Sequence, residues 1–146
     1  MYKVAVLFAL VALAAQALAA PESKKVFTEC ELFRYVRDTQ GSNMPKTWTC
    51  IAYYESRYNS AAKGGPNSNG SYDHGMWQIN DNYWCAGDNP GLSNDCNKPC
   101  TAFRDNDLDD DWVCVVMIHG RHGFSAWSTY GPYCTNAENE SWGNGC

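Results

Sequence analysis

The run Trp48-Thr49-Cys50-Ile51-Ala52-Tyr53-Tyr54-Glu55, followed after a turn-rich stretch by Asp73-His74-Gly75-Met76-Trp77-Gln78-Ile79, decides how the whole chain is read. In the first segment Trp48, Ile51 and Ala52 recur at the i, i+3, i+4 spacing of an apolar helix face, and Glu55 takes the i+7 place. A carboxyl group there is expected to be partly buried. In the second segment Asp73 follows Asn67-Ser68-Asn69-Gly70-Ser71, a cluster of turn residues, and opens a run that reads as a hairpin strand. That carboxyl group is expected to be wet, hydrogen-bonded and ionised. Two carboxyl groups in such opposite settings have their proton affinities pushed apart. This is what acid-assisted cleavage of a glycosidic bond requires, one group giving a proton while the other stays negative.

Outward from this pair, the rest of the chain reads as helices flanking a small strand-and-loop insert. Thr28-Glu29-Cys30-Glu31 matches a capping box, and Leu32, Tyr35 and Val36 continue at helical spacing, predicting a first helix to about Asp38. Gly41 and Pro45 break it, and the helix carrying Glu55 runs from about Lys46 to Tyr58. After turns over Ala62 to Gly70 comes a strand from Ser71 to Asn80, then a loop tied by disulfides from Asp81 to Cys100. A third helix starts near Leu108, with Leu108, Trp112, Val115, Val116 and His119 on one face and Gly120 as its cap. Short helical pieces follow around Ser125 to Thr129. The predicted class is α+β, one domain of two lobes with a cleft between them.

The first twenty residues stand apart from this domain. Lys3, the apolar run Val4 to Leu13 and the small residues Ala17-Leu18-Ala19-Ala20 have the order of a secretory signal peptide, and the run is too short to span a bilayer. The expected domain is therefore 21–146, secreted. Its eight cysteines, Cys30, Cys50, Cys85, Cys96, Cys100, Cys114, Cys134 and Cys146, argue for four disulfides in an exported chain, and spacing leaves their pairing open. Cys96 and Cys100 have no second close pair or histidine at ligand spacing, which disfavours zinc. The net charge of −5 speaks against long-range attraction to nucleic acid or to an anionic membrane surface.

Several blocks together resemble the c-type lysozymes: Lys25-Val26-Phe27-Thr28-Glu29-Cys30-Glu31-Leu32, Trp48-Thr49-Cys50 with Tyr54-Glu55-Ser56, and Asn69-Gly70-Ser71-Tyr72-Asp73-His74-Gly75 running into Gln78-Ile79-Asn80. Tyr83-Trp84-Cys85, Cys96-Asn97-Lys98-Pro99-Cys100 and Ser125-Ala126-Trp127 extend the likeness over the whole mature length. The resemblance implies a lysozyme-like domain, mostly helical with a small antiparallel sheet, and disulfides Cys30 to Cys146, Cys50 to Cys134, Cys85 to Cys100 and Cys96 to Cys114. It implies Glu55 as general acid, beside the desolvating indole of Trp127, and Asp73 as nucleophile or ion stabiliser supported by Ser71 and Asn80. Substrate contacts are implied for Gln78, Tyr83, Trp84 and the backbone of Ala126. The implied substrate is bacterial peptidoglycan, with chitin oligomers as weaker substrates, and the implied state is a monomer. His74 stands where the family more often has tyrosine, and Arg121 and His122 lie in a shortened loop at the far end of the cleft. His119 and His122 are read as structural or surface residues.

A second constellation lies at the start of the third helix. Acids there oppose the helix macrodipole, so a solvated helix start is the plain reading. Yet Asp105, Asp107, Asp109, Asp110 and Asp111 repel one another unless they share a cation, and hard oxygen ligands suit calcium. The spacing also resembles the loop of alpha-lactalbumin and the calcium-binding lysozymes. That likeness implies carboxylates from Asp105, Asp110 and Asp111 and backbone carbonyls from Ala102 and Asp107 around a structural calcium. Alpha-lactalbumin-like partners of a glycosyltransferase and sugar-binding lysozyme-like proteins form the alternative, non-catalytic class. They are expected to lack one of the carboxylate pair, and this chain has both.

Overall fold

The computed structural model describes residues 24–87 and 93–146; the signal segment over residues 1–20 lies outside them. The first helix, α1 (Glu29–Arg34), begins on the expected capping box: Thr28 Oγ1 accepts from the Glu31 N–H at 3.2 Å, and Glu31 Oε2 accepts from the Thr28 N–H at 2.8 Å. It widens into a π-helical turn over Tyr35–Thr39, so the segment reaches the predicted end with altered geometry. The second helix, α2 (Pro45–Ser56), starts with proline where a missing N–H costs nothing and ends on Arg57 in the left-handed conformation. Trp48, Ile51 and Ala52 are buried along its inner face.

Three two-residue strands, β1 (Lys63–Gly64), β2 (Asp73–His74) and β3 (Ile79–Asn80), form an antiparallel sheet in that order, with Asp73 opposite both Gly64 and Asn80. The predicted strand from Ser71 to Asn80 is thus two short strands joined by a turn. His74, Gly75, Met76 and Trp77 are all buried in succession, a pattern that strand alternation cannot produce. Gly75 has φ +75°, and a Cβ there would lie 1.8 Å from the Phe103 carbonyl oxygen. The turn is consequently pressed against the backbone that precedes the third helix.

That helix, α3 (Asp109–His122), passes Gly120 and stops at Gly123, whose φ of +63° lies in the region glycine tolerates. Gly120 is exposed and inside the helix, because the positive φ at Gly123, not glycine content, sets the stop. Trp112, Val115 and Ile118 face the core with Leu108, whereas Val116 is 45% exposed. It sits one position from Val115, about 100° round the helix. A 3₁₀ turn (Gly123–Ala126), a π turn (Tyr130–Cys134) and a final 3₁₀ turn (Ala137–Asn139) complete the helical lobe.

Trp48 is the centre of the core. Its ring meets Trp77, Trp112, Phe124 and Trp127 at centroid distances of 6.4, 5.3, 4.9 and 5.1 Å, all edge-on. The partners come from three segments, so one indole joins α2 to the turn after β2, to α3 and to the 3₁₀ piece behind it. His119 packs on the same ring at 5.5 Å, in agreement with a structural role.

The four disulfides pair as the resemblance implies: Cys30–Cys146, Cys50–Cys134, Cys85–Cys100 and Cys96–Cys114. The first two hold the helical lobe to the C-terminal segment, the third closes the loop after the sheet, and the fourth ties that loop to α3. Among the described residues no helix is long and apolar enough to cross a membrane.

Candidate active site

A cleft of about 330 Å³ opens between the sheet and the helical lobe, and both carboxyl groups line it, Glu55 from the last turn of α2 and Asp73 from β2. Asn67, Gln78, Asn80, Tyr83, Trp84, Ala126 and Trp127 share that lining. Of the residues predicted for the cleft, only Ser71 is outside the wall.

Glu55 is half-buried, and desolvation raises its pKa above the ordinary carboxyl value. The Thr129 hydroxyl opposes this by donating to Glu55 Oε1 at 2.6 Å, and the negative charge of Asp73 adds to the rise. Trp127, donating its Nε1–H to the Trp77 carbonyl at 2.8 Å, holds an apolar wall of the same cleft.

Asp73 has the opposite surroundings. Asn80 Nδ2 donates to its Oδ1 at 2.6 Å and Asn67 Nδ2 donates to its Oδ2 at 2.8 Å. Ser71 lies beneath, 2% exposed: its hydroxyl accepts from Asn80 at 2.9 Å and from Asn67 at 3.1 Å and donates to Asn69 Oδ1 at 2.7 Å. Ser71 therefore orients the two amides that orient the carboxylate, which is how a buried hydroxyl supports a group it does not touch.

Two of these residues escaped sequence reading. Asn67 is one of several turn formers in its segment, and its amide meets Asp73 only because the turn folds back on the strand; Thr129 follows a short helical piece, and its partner Glu55 is 74 residues away in sequence. The run Asn67 to Ser71 carried a faint signal, since its small polar residues immediately precede the aspartate.

His74 points away from Asp73, as alternation along β2 requires. It is buried with Asp81, its Nε2 3.4 Å from Asp81 Oδ2, and burial lowers its pKa, Asp81 acting against that and Arg104 and Lys63 with it. The sulfurs of Cys85 and Cys100 lie near the imidazole, but they are bonded to each other and do not make a metal site.

At the start of α3, Asp111 is 1% exposed and its Oδ1 has no hydrogen-bond partner among the described residues. Burial, then the charges of Asp110 and Asp105, raise its pKa well above the carboxyl norm, with Asp107 adding to the effect. A buried, unpartnered carboxylate oxygen among further acids is a donor set suited to a hard cation such as calcium. Lys98, whose Nζ is 3.4 Å from Asp110 Oδ2, supplies part of the missing positive charge. This cluster is separate from the cleft, whose lining includes none of its acids.

Known proteins match this arrangement. The family model of the C-type lysozyme/alpha-lactalbumin family matches residues 25–146. "Lysozyme 1" of the house fly Musca domestica is 41% identical over 133 residues, 89% of this chain and 93% of its own length. The crystal structure of apo-type canine milk lysozyme superposes with a TM-score of 0.77 at 33% identity, over 84% of this chain and 98% of that one. A calcium-binding lysozyme from equine milk gives 0.76 at the same identity and the same coverage. The chain belongs to the C-type lysozyme/alpha-lactalbumin family and stands with its lysozymes, as a glycoside hydrolase.

Proposed function

We propose that this protein is a secreted muramidase. It hydrolyses the β-1,4 bond between N-acetylmuramic acid and N-acetylglucosamine in bacterial peptidoglycan by a retaining, two-carboxylate mechanism, in a digestive or antibacterial setting and as a monomer. The observation that carries the reading is the division of labour in one cleft: a desolvated carboxyl with raised pKa, and a carboxylate whose two oxygens are each held by an amide. A protonated Glu55 gives its proton to the leaving glycosidic oxygen as the bond to the anomeric carbon breaks. Asp73 meets the positive charge that develops there and forms the glycosyl-enzyme bond, and Glu55, now charged, takes a proton from the water that releases it. Tyr83, 54% exposed, and Trp84 offer ring faces to the sugars, while Gln78 and the backbone of Ala126 supply polar contacts.

Product analysis tests this. Soluble peptidoglycan treated with the protein should yield new reducing ends on N-acetylmuramic acid, with the β anomer appearing first by NMR. Reducing N-acetylglucosamine ends, or an initial α anomer, would remove the reading.

Thr129 gives an independent check on the acid. Its hydroxyl lowers the Glu55 pKa, so Thr129→Val raises it further and keeps the group protonated to higher pH. The alkaline limb of the kcat/KM profile should move upward in pH; a limb that stays or moves down contradicts the assignment of that limb to Glu55.

The acidic loop is proposed to hold a structural calcium through the carboxylates of Asp105, Asp110 and Asp111 and the carbonyls of Ala102 and Asp107. When bound, the ion neutralises mutually repelling acids and braces the start of α3. At a calcium concentration a hundred times the Kd, binding stabilises the fold by about 2.7 kcal/mol, and chelation should lower the melting temperature by several degrees. Asp111→Asn should erase that difference; identical melting curves of the wild-type protein in calcium and in chelator would rule the ion out.

A further inference from the structure

Beyond the aromatic wall the cleft continues into a recess of about 410 Å³, which shares Tyr83, Trp84 and Ala126 with it and is otherwise lined by Ser93, Asp95, Arg121 and His122. Two basic-type side chains and one acid at the end of the cleft contrast with the acidic chain as a whole. Arg121, at the end of α3, donates through its Nη1 to Asp95 Oδ2, so the ion pair joins the helical lobe to the loop that follows the sheet. The guanidinium also lies 5.5 Å from the ring centre of Trp84, and His122 meets the same indole edge-on at 5.6 Å. The hydroxyl of Ser93 and then Arg121 hold the Asp95 carboxyl below its usual range, keeping it charged.

As a stabilising device this pair has little value. Its side chains are 47% and 36% exposed, and exposed ion pairs contribute little to stability. Such a pair is easily exchanged, however, because only Nη1 meets Asp95 while Nη2 rests on the Met117 sulfur at 3.6 Å, and a guanidinium binds one carboxylate in place of another. The position against Trp84 places that exchangeable cation beside a sugar-binding face.

We infer that Arg121 is a specificity-determining residue, which recognises a carboxylate on the saccharide chain at the distal end of the cleft, with Asp95 as the internal anion that the substrate displaces. The inference rests on the carbohydrate reading of the cleft given above. It deepens that reading by assigning the end recess to acidic glycans rather than neutral ones. Two carboxylate sources are chemically equivalent for the guanidinium, the free lactyl group of muramic acid and the carboxylates of attached peptides. The negative surface repels an acidic polymer at long range, and Arg121 offsets this at one place, within about a Debye length.

The test is binding to a chain carrying Glu55→Gln, followed by tryptophan fluorescence, with three probes: peptidoglycan fragments bearing peptides, peptide-stripped glycan strands with free lactyl carboxylates, and neutral chitohexaose. Adding Arg121→Gln should weaken at least one acidic probe about tenfold, the loss of one charge-assisted contact, and leave chitohexaose within about twofold. Whichever acidic probe loses affinity identifies the carboxylate source. Adding Asp95→Asn instead should tighten that same probe, because the internal competitor is gone, and Arg121→Lys should restore part of the affinity. The preference for the acidic probe should fall as salt rises. Equal weakening of all three probes by Arg121→Gln would make the residue a prop for Trp84 and overturn the proposal, as would weaker acidic binding in Asp95→Asn. These readouts need no turnover, so failure of the muramidase reading, seen in the products of the wild-type protein, is distinguishable from failure of this one.

Discussion

Glu55→Gln is expected to lower turnover of peptidoglycan by about 10²–10⁴-fold, the range that a positioned general acid contributes, with affinity for the glycan nearly unchanged. Glutamine has the same shape, and its carbonyl oxygen can keep the bond donated by the Thr129 hydroxyl. What it lacks is a proton acidic enough to leave with the glycosidic oxygen. The variant also carries its own control. Because folding raises the Glu55 pKa, the carboxyl favours the fold in acid and opposes it as pH rises from the unfolded value through the folded one. Above that window a neutral amide removes the opposition, and the variant should be at least as stable as the parent. Lost activity with retained melting temperature, measured together at neutral pH, isolates the chemical step. Near-normal turnover by this variant would end the two-carboxylate mechanism.

Removing the Cys50–Cys134 bridge, with alanine at both positions, should cost about 4–5 kcal/mol by the chain-entropy argument, because the two residues are 84 apart in sequence. Both are fully buried between α2 and the Tyr130–Cys134 turn. With domain stabilities of about 5–15 kcal/mol, that loss takes up a large share of the total. Opening Cys85–Cys100, only 15 apart, should cost about 3 kcal/mol by the same argument. Urea midpoints of the two double variants give the comparison. A larger loss from the shorter loop would show that local packing around the bridges, and not loop closure, governs their contribution.

The reach of sequence reading varied with the range of the interactions involved. The capping box at Thr28 and Glu31 was legible because its donors and acceptors lie three residues apart. The apolar face of α2 was legible for the same reason, and Trp48, Ile51 and Ala52 are indeed buried along it. The sequence offers Gly120 as readily as Gly123 for the stop of α3, since both are glycines and only backbone conformation separates them. A continuous strand from Ser71 to Asn80 is what the sequence suggests, because Met76 and Trp77 are apolar either way; the turn exists because Gly75 fits against the Phe103 carbonyl. His74 was seen as a neighbour of Asp73, whereas its side chain belongs to a buried pair with Asp81 on the other side of the strand.

By itself, then, the sequence determined the pair of carboxyls, the helix that carries Glu55, the cysteine complement and the acidic run before α3. Each of these is a residue type or a short-range spacing. Tertiary structure alone decided that Asn67 joins Asn80 on Asp73 over a shared Ser71 hydroxyl, that Thr129 restrains Glu55, and that Arg121 meets Asp95 across the end of the cleft. The physical reason is common to all three. A hydrogen bond or ion pair depends on about 3 Å of separation and on direction, which are set for Asn67 when the turn before β2 folds back on the strand, and for Thr129 and Arg121 when the helical lobe packs.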